Sequence, residues 1–116
     1  MALIAQLVDD VMVHKFELRK EEVLLGRHPE NDIVVDDSAV SSYHAAITLE
    51  KNKDFPEFLE FYVKDLGSTN GTFINDAPVE GLQRLHHNDI IRIAWNNFKF
   101  VDPKEADLEK TVHMLK

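Results

Sequence analysis

The sequence predicts an all-β protein, an antiparallel β-sandwich of about ten or eleven short strands with a short helical or linker tail. Apolar and polar residues alternate with a period of two in several segments, and turn-forming residues recur at short intervals. No extended helical period occurs before residue 103. Many short strands at close spacing are typical of a sandwich, in which each sheet buries one face against the other.

A strand is expected wherever an alternating or continuous apolar run lies between turn residues. The period-two alternation with one polar face is seen in residues 45–50 and 59–64. The same criteria predict further strands at 3–8, 15–19, 21–25, 33–35, 72–75, 77–79, 90–93 and 98–101.

Residues 102–116 have a different pattern. Asp102 is a good helix N-cap residue and Pro103 suits the first helical position. Three apolar residues follow at i, i+4 and i+7, which is the spacing of one helix face: Leu108, Val112 and Leu115. We therefore predict a domain of residues 1–101 and a C-terminal tail of residues 102–116, either a short helix or a linker.

Length and composition limit the classes of function. A chain of 116 residues, 44% of them hydrophobic, is expected to form one domain with its own core. With no cysteine, it cannot contain a disulfide, a thiolate zinc site or a cysteine nucleophile. We see neither a signal peptide nor a membrane span in the sequence and expect a cytoplasmic protein. The formal net charge of −8 opposes binding to nucleic acid, so an anionic ligand needs a local site.

Three short segments carry the residues that suit one such anion. Each contains small hydrogen-bonding side chains or a fixed cation in a predicted loop. An arginine provides permanent charge and a fork of donors, and hydroxyl groups add neutral donors, so together they suit a phosphate dianion. The segments are Gly26-Arg27, Ser41-Ser42-Tyr43-His44 and Gly67-Ser68-Thr69-Asn70-Gly71-Thr72.

These segments, with two others, resemble the forkhead-associated (FHA) domain, a phosphothreonine-binding β-sandwich of signalling proteins. The resemblance covers about residues 3–101, and its motifs occur in the order and spacing of that family. It implies a phosphopeptide-binding module without catalysis, cofactor or metal. The motifs lie at residues 26–35, 40–45, 65–75 and 88–93.

The resemblance also implies a role for each site residue. Arg27 matches the arginine that pairs with the phosphate, and Ser41 matches the serine that binds it through its hydroxyl and backbone amide. Thr69 matches the hydroxyl residue of the opposite loop, and Asn70 matches the asparagine that binds the ligand main chain. Structural support of the site is implied for Gly26, His44 and Gly71.

Ser42 departs from the family pattern, which often has arginine at this position and sometimes lysine or asparagine. It is retained among the expected phosphopeptide-binding residues. Because a second cation is missing, phosphate binding should depend more strongly on Arg27, and the Ser42 contact to the ligand is expected to be shorter or water-mediated.

The expected partner is a phosphothreonine-containing protein in a Ser/Thr kinase pathway, with neither nucleic acid nor membrane involved. The alternative is a degenerate relative that binds an unmodified protein surface through the same loops. Arg27 in an internal salt bridge, His44 as a catalytic base and a metal at His86-His87 are less favoured interpretations. Thr111, if phosphorylated, would offer a ligand for self-binding; the simpler interpretation is a threonine on a helix surface.

Overall fold

The computed structural model describes residues 2–104 and contains eleven β-strands. The strand number agrees with the ten or eleven predicted from the sequence. The strands are β1 (Leu3–Val8), β2 (Val11–Glu17), β3 (Glu22–Gly26), β4 (Ile33–Val34), β5 (Ala45–Lys51), β6 (Leu59–Asp65), β7 (Thr72–Ile74), β8 (Ala77–Pro78), β9 (Leu82–Arg84), β10 (Ile90–Ile93) and β11 (Asn96–Val101).

The strands form two sheets, which confirms the predicted sandwich. One sheet has six strands in the order β2-β1-β11-β10-β7-β8, and the other has five in the order β4-β3-β5-β6-β9. Neighbouring strands are antiparallel with one exception: β3 and β4 run parallel, with Leu25 opposite Ile33 and Gly26 opposite Val34. This short parallel pair positions the loop that joins its two strands.

The core lies between the sheets and is built from the inward-facing residues of each strand. Ile4, Phe98 and Phe100 contribute from the six-stranded sheet, and Leu25 contributes from the other. The rings of Phe61 and Phe100 meet across the interior with centroids 5.6 Å apart. Each fully buried large apolar side chain contributes about 1.5–3 kcal/mol, so this layer supplies much of the driving force for folding.

Two strands differ from the sequence-based expectation. β9 (Leu82–Arg84) was not expected, and β2 starts at Val11 rather than near residue 15. Both are edge strands, and nearly all of β2 is exposed on both faces, so burial imposes little alternation on its sequence. The turn before β2 places Asp9 and Asp10 at positive φ (52° and 64°). This is a hairpin conformation that an Asp-Asp pair does not predict.

The start of the tail has the geometry expected for Asp102. Its carboxylate accepts the backbone N–H of Lys104 at 3.1 Å, as an N-cap side chain does. The rest of the predicted tail, including Thr111, lies outside the described residues, and the boundary near residue 101 stays a prediction. Within residues 2–104, no helix has the length and apolarity needed to cross a bilayer.

The topology brings three loops to one end of the sandwich. They join β3 to β4 (residues 27–32), β4 to β5 (35–44) and β6 to β7 (66–71). Since β5 leaves this end and β6 returns to it, the loop of residues 52–58 lies at the opposite end. The three segments singled out in the sequence therefore meet at one edge of the fold.

Asp65, the last residue of β6, organises the loop of residues 66–71. Its carboxylate accepts the backbone N–H groups of Gly67 (3.0 Å) and Ser68 (2.8 Å), and also the hydroxyls of Ser68 and Thr72. Burial works against the charged form, but these donors outweigh it and hold the pKa of Asp65 below its ordinary value. The carboxylate thus closes the loop as an ionised acceptor.

Gly26 allows two of the loops to approach each other closely. A Cβ at this position would lie 2.3 Å from the carbonyl oxygen of Ser42 and 2.9 Å from the side-chain nitrogen of Asn31. The first of these atoms belongs to the backbone and cannot turn away. Any side chain at position 26 must therefore displace the segment around Ser42.

We predict that Gly26→Ala costs about 1–3 kcal/mol of unfolding free energy, because overpacking against a backbone atom forces a shift. Gly81→Ala is the matched control: Gly81 has a φ of +64° but open space around its Cβ position, so only backbone strain results. Urea denaturation gives the stabilities. Amide NMR shifts of residues 41–44 should move in Gly26→Ala and stay in place in Gly81→Ala. Unmoved signals in Gly26→Ala would contradict the contact.

We predict that Asp65→Asn lowers the unfolding free energy at pH 7 by about 1–3 kcal/mol. An amide has only one acceptor oxygen, and its NH₂ group would face the N–H and O–H donors that the carboxylate now binds. A lowered folded-state pKa means that Asp65 stabilises the fold above about pH 4 and that this contribution is lost as pH falls through the folded pKa. The difference in unfolding free energy between the original protein and Asp65→Asn should therefore decrease as the pH falls. Urea denaturation of both proteins from pH 7 to pH 3 measures this difference. Asp54→Asn, the same charge change at the opposite end, should keep the stability of the original protein at pH 7.

Candidate functional site

Arg27 follows β3 and contacts the loop of residues 35–44. Its backbone N–H donates to the carbonyl of Ser41 at 3.0 Å, and its Nε donates to the carbonyl of Val40 at 3.0 Å. Among residues 2–104, no carboxylate lies within 4.0 Å of its guanidinium, and the residue is exposed. The head group is therefore held in one orientation while its charge remains uncompensated.

Ser41 connects Arg27 to the loop of residues 66–71. Its Oγ accepts the backbone N–H of Thr69 at 3.1 Å, which leaves its own hydroxyl hydrogen available to a further acceptor. The backbone N–H of Ser41 donates to Nδ1 of His44 at 3.1 Å. The resemblance assigns both the amide and the hydroxyl of Ser41 to the ligand; in this structure the amide is engaged with His44.

Thr69 and Asn70 bring the loop of residues 66–71 into contact with the loop of residues 35–44. Thr69 is exposed, and its backbone N–H donates to the hydroxyl oxygen of Ser41. The Nδ2 of Asn70 donates to the carbonyl of Ala39 at 2.7 Å, so this side chain ties the two loops together. Its amide oxygen has no hydrogen-bond partner among the described residues and is the atom that can accept a ligand N–H.

His44 is fully buried and links the same loops from below. Its Nδ1 accepts the N–H of Ser41, so Nε2 carries the proton and donates to the carbonyl of Gly71 at 2.8 Å. Gly71 has a φ of +83°, which a residue with a Cβ adopts at a cost. With both ring nitrogens bound to backbone groups, His44 acts as a structural link.

Ser42 is exposed, and its backbone is fixed by two donors. Its carbonyl accepts the N–H of His28 at 3.1 Å and the Nδ2 of Asn31 at 2.7 Å. Ser42 therefore lies at the rim beside Arg27 with a free hydroxyl, and it adds no charge.

Two residues that organise the site were missing from the sequence-based set. Asn31 is 6% exposed and joins the loop of residues 27–32 to Ser42, and Asp65 closes the loop of residues 66–71. Both occur in the motifs that carry the family resemblance. The polar type and turn-like neighbours of Asn31 favoured a solvated loop, so its burial and its bond to Ser42 could not be seen in the sequence. For Asp65, no local pattern showed that its carboxylate binds the donors of the loop that follows it.

An aromatic pair lies next to this site. The rings of His28 and Tyr43 stack with centroids 5.3 Å apart and an interplanar angle of 22°. The hydroxyl of Tyr43 donates to Glu30 over 3.3 Å, and partial burial together with the charge of Glu30 raises the pKa of Tyr43 above its ordinary value. Tyr43 thus keeps its proton at neutral pH.

The arrangement can hold a tetrahedral oxyanion. Of the five N–H donors of a guanidinium, one is used at Val40, which leaves four for a ligand beside the hydroxyls of Ser41, Ser42 and Thr69. Across residues 2–104, no group of three or more His, Cys, Asp or Glu side chains could hold a metal ion. Recognition of an anion is therefore the chemistry that these atoms support.

Comparisons with known proteins identify the family and the fold. The FHA domain model matches residues 23–94. The chain is 37% identical over 94 residues to the glycogen accumulation regulator GarA of Mycobacterium tuberculosis, covering 80% of this chain and 53% of GarA. It therefore spans about half the length of the curated relatives that it matches.

Solved structures show the same fold. The FHA domain of the CT664 protein from Chlamydia trachomatis superposes with a TM-score of 0.73 at 25% identity, covering 87% of this chain and 96% of that one. EmbR of Mycobacterium tuberculosis, solved in complex with a low-affinity phosphopeptide, gives a TM-score of 0.72 at 26% identity, covering 86% and 24%. The family match, the two sheets and the loop arrangement together place this chain in the FHA domain family.

Proposed function

We propose that this domain binds phosphothreonine in a partner protein and thereby serves as a recognition module in signalling. The observation that carries the proposal is the Arg27 guanidinium, which is oriented by Val40 and has no acidic partner among the described residues. A cation held in place without a counter-charge is suited to an external anion.

Phosphothreonine matches the donors at this site. It carries about −1.5 to −2 charges at pH 7 and three strong acceptor oxygens. The free N–H groups of Arg27 can bind two of these oxygens, and the hydroxyls of Ser41 and Thr69 can bind the third. EmbR, a structural relative, was solved with a phosphopeptide, which supports the same ligand class for this chain.

Asn70 and Ser42 complete the proposed site. The free amide oxygen of Asn70 would accept a main-chain N–H of the ligand, while its Nδ2 remains on Ala39. Ser42 would contribute a neutral hydroxyl. Without a second cation, the affinity for phosphate depends mainly on Arg27, and the net charge of −8 opposes ligands rich in acidic residues.

We propose that the domain binds without catalysis. His44, the histidine that links the site loops, has both ring nitrogens engaged with backbone groups and is unsuited to accept a proton from a nucleophile. The partner's phosphate would be added by a Ser/Thr kinase, so the domain would act after such a kinase. Self-binding through Thr111 stays a prediction, because that residue lies outside the described residues.

We predict that Arg27→Ala weakens binding to a degenerate phosphothreonine peptide library by about 2–5 kcal/mol. This is the scale for truncating one partner of a buried charge pair, which Arg27 would form once the phosphate covers it. The affinity of Arg27→Lys should lie between those of the original protein and Arg27→Ala, since lysine keeps the charge and loses the bidentate fork. Isothermal titration calorimetry measures both. Arg19→Ala, in the loop between β2 and β3 at the far end, is the control and should bind normally. Unchanged binding by Arg27→Ala, or equal binding of unphosphorylated peptides, would refute the proposal.

We predict that replacing phosphothreonine by phosphoserine in the same peptide weakens binding by about 1–3 kcal/mol, because a fitted niche for one methyl group discriminates on that scale. Competition titrations with the two peptides and their unphosphorylated form give the preference directly. Equal affinities for the two phosphorylated peptides would show that the γ-methyl group is not contacted.

A further inference from the structure

The loop of residues 27–32 places an aromatic platform beside the proposed phosphate site. His28 directly follows Arg27, and Tyr43 directly follows Ser42, so the stacked pair adjoins both residues. The backbone bond from His28 to the Ser42 carbonyl fixes this neighbourhood. Tyr43 is 41% exposed and therefore presents ring surface to solvent.

Glu30 adds an uncompensated negative charge to this platform. Its backbone N–H donates to Nδ1 of His28 at 3.1 Å, and its carboxylate lies beside the Tyr43 hydroxyl. No Lys or Arg among residues 2–104 lies within 4.0 Å of this carboxylate. Asp32 in the same loop differs, because it binds Lys20 and the backbone N–H of Leu24. Glu30 is thus the acid of this loop that can still take a cation.

We propose that His28, Glu30 and Tyr43 form a second subsite, which takes a lysine or arginine side chain of the phosphothreonine ligand. The cation would lie against the exposed surface of the Tyr43 ring and pair with the Glu30 carboxylate. This inference rests on the proposed phosphothreonine binding and adds a residue preference to it.

The chemistry of the subsite favours a cation over other side chains. An acidic side chain would meet Glu30 and be repelled. An apolar side chain could cover the Tyr43 ring only by removing water from an unpaired carboxylate, which is costly. A lysine or arginine stem can lie on the ring while its charged group stays near Glu30 and partly in water.

The order of contacts also indicates where in the ligand this residue lies. The contacts follow an order along the loop of residues 35–44. Asn70 binds the carbonyl of Ala39, Arg27 binds the carbonyls of Val40 and Ser41, and the platform begins at Ser42 and Tyr43. In this order the platform and Asn70 are on opposite sides of Arg27. The basic residue is therefore expected on one side of the phosphothreonine only, within a few positions of it.

An oriented peptide library tests this inference. Phosphothreonine is fixed, and each of the four positions on either side is varied with Lys, Arg, Ala, Leu, Phe and Glu. We expect Lys and Arg to be enriched over Ala, and Glu to be depleted, at one or two adjacent positions on one side. The preference for Lys over Ala should be about three- to tenfold in affinity and should decrease at high salt.

Two variants test the residues, and one controls for charge. Glu30→Gln keeps the shape and the backbone bond to His28, and Tyr43→Leu removes the ring; each should reduce the Lys preference to about twofold or less. Binding to peptides without basic residues should stay within about twofold of the original protein for Glu30→Gln. Glu57→Gln makes the same charge change in the loop of residues 52–58, at the opposite end, and should retain the full preference.

The outcomes separate this inference from the proposed function. Phosphate-dependent binding with no preference for Lys or Arg, with a preference that survives Glu30→Gln, or with a preference for aromatic residues overturns the subsite and leaves the proposed function in place. Equal binding of phosphorylated and unphosphorylated libraries overturns both. A one-sided Lys or Arg preference that is lost in Glu30→Gln and kept in Glu57→Gln supports the subsite.

Discussion

The buried imidazole of His44 is the contact on which the site depends. It joins the amide of Ser41 to the carbonyl of Gly71, two backbone groups that belong to different loops and lie 30 residues apart in sequence. Both groups would otherwise be left without a partner beneath the site, at a cost of about 1–3 kcal/mol each. Because one neutral ring satisfies both, the two hydroxyl-bearing loops stay at a fixed separation.

Further polar contacts extend this arrangement to the third loop. Asn31 holds the Ser42 carbonyl, and Gly26 lets that carbonyl come close to the strand that precedes Arg27. The Val40 carbonyl then orients the guanidinium. A site fixed in this way before ligand arrives loses little conformational freedom on binding, so a small number of donors can be sufficient.

A chain with a formal net charge of −8 repels a dianion as a whole, so binding depends on the local arrangement of charges at the site. Arg27 is separated from acidic partners, whereas Asp65 and Asp32 are occupied by donors of their own loops. Glu30 has no cationic partner among the described residues and lies near the site. In the proposed function, the acidic groups around the site therefore influence which ligand residues are favoured beside the phosphothreonine.

The sequence was sufficient for the sandwich, for most strands and for the set of loop residues proposed to bind. Alternation in the sequence predicted strands such as β5 and β6, and Gly, Asn and Ser marked the turns. The same criteria missed β9 and the first part of β2, since edge strands with mostly exposed residues show little alternation. The site predicted from the sequence also lacked Asn31, because a short polar residue in a turn gives no local sign that it will be buried.

The residue pattern was enough to identify the groups available for binding: one arginine, several hydroxyls and a histidine, each in a segment that forms a loop. The folded chain was needed to show that these loops meet, that the amide of Ser41 is engaged with His44, and that Arg27 has no acidic partner among residues 2–104. This division arises because a local pattern reflects burial and turn propensity within one segment. Hydrogen bonds between segments distant in sequence depend on how the strands are ordered in the two sheets.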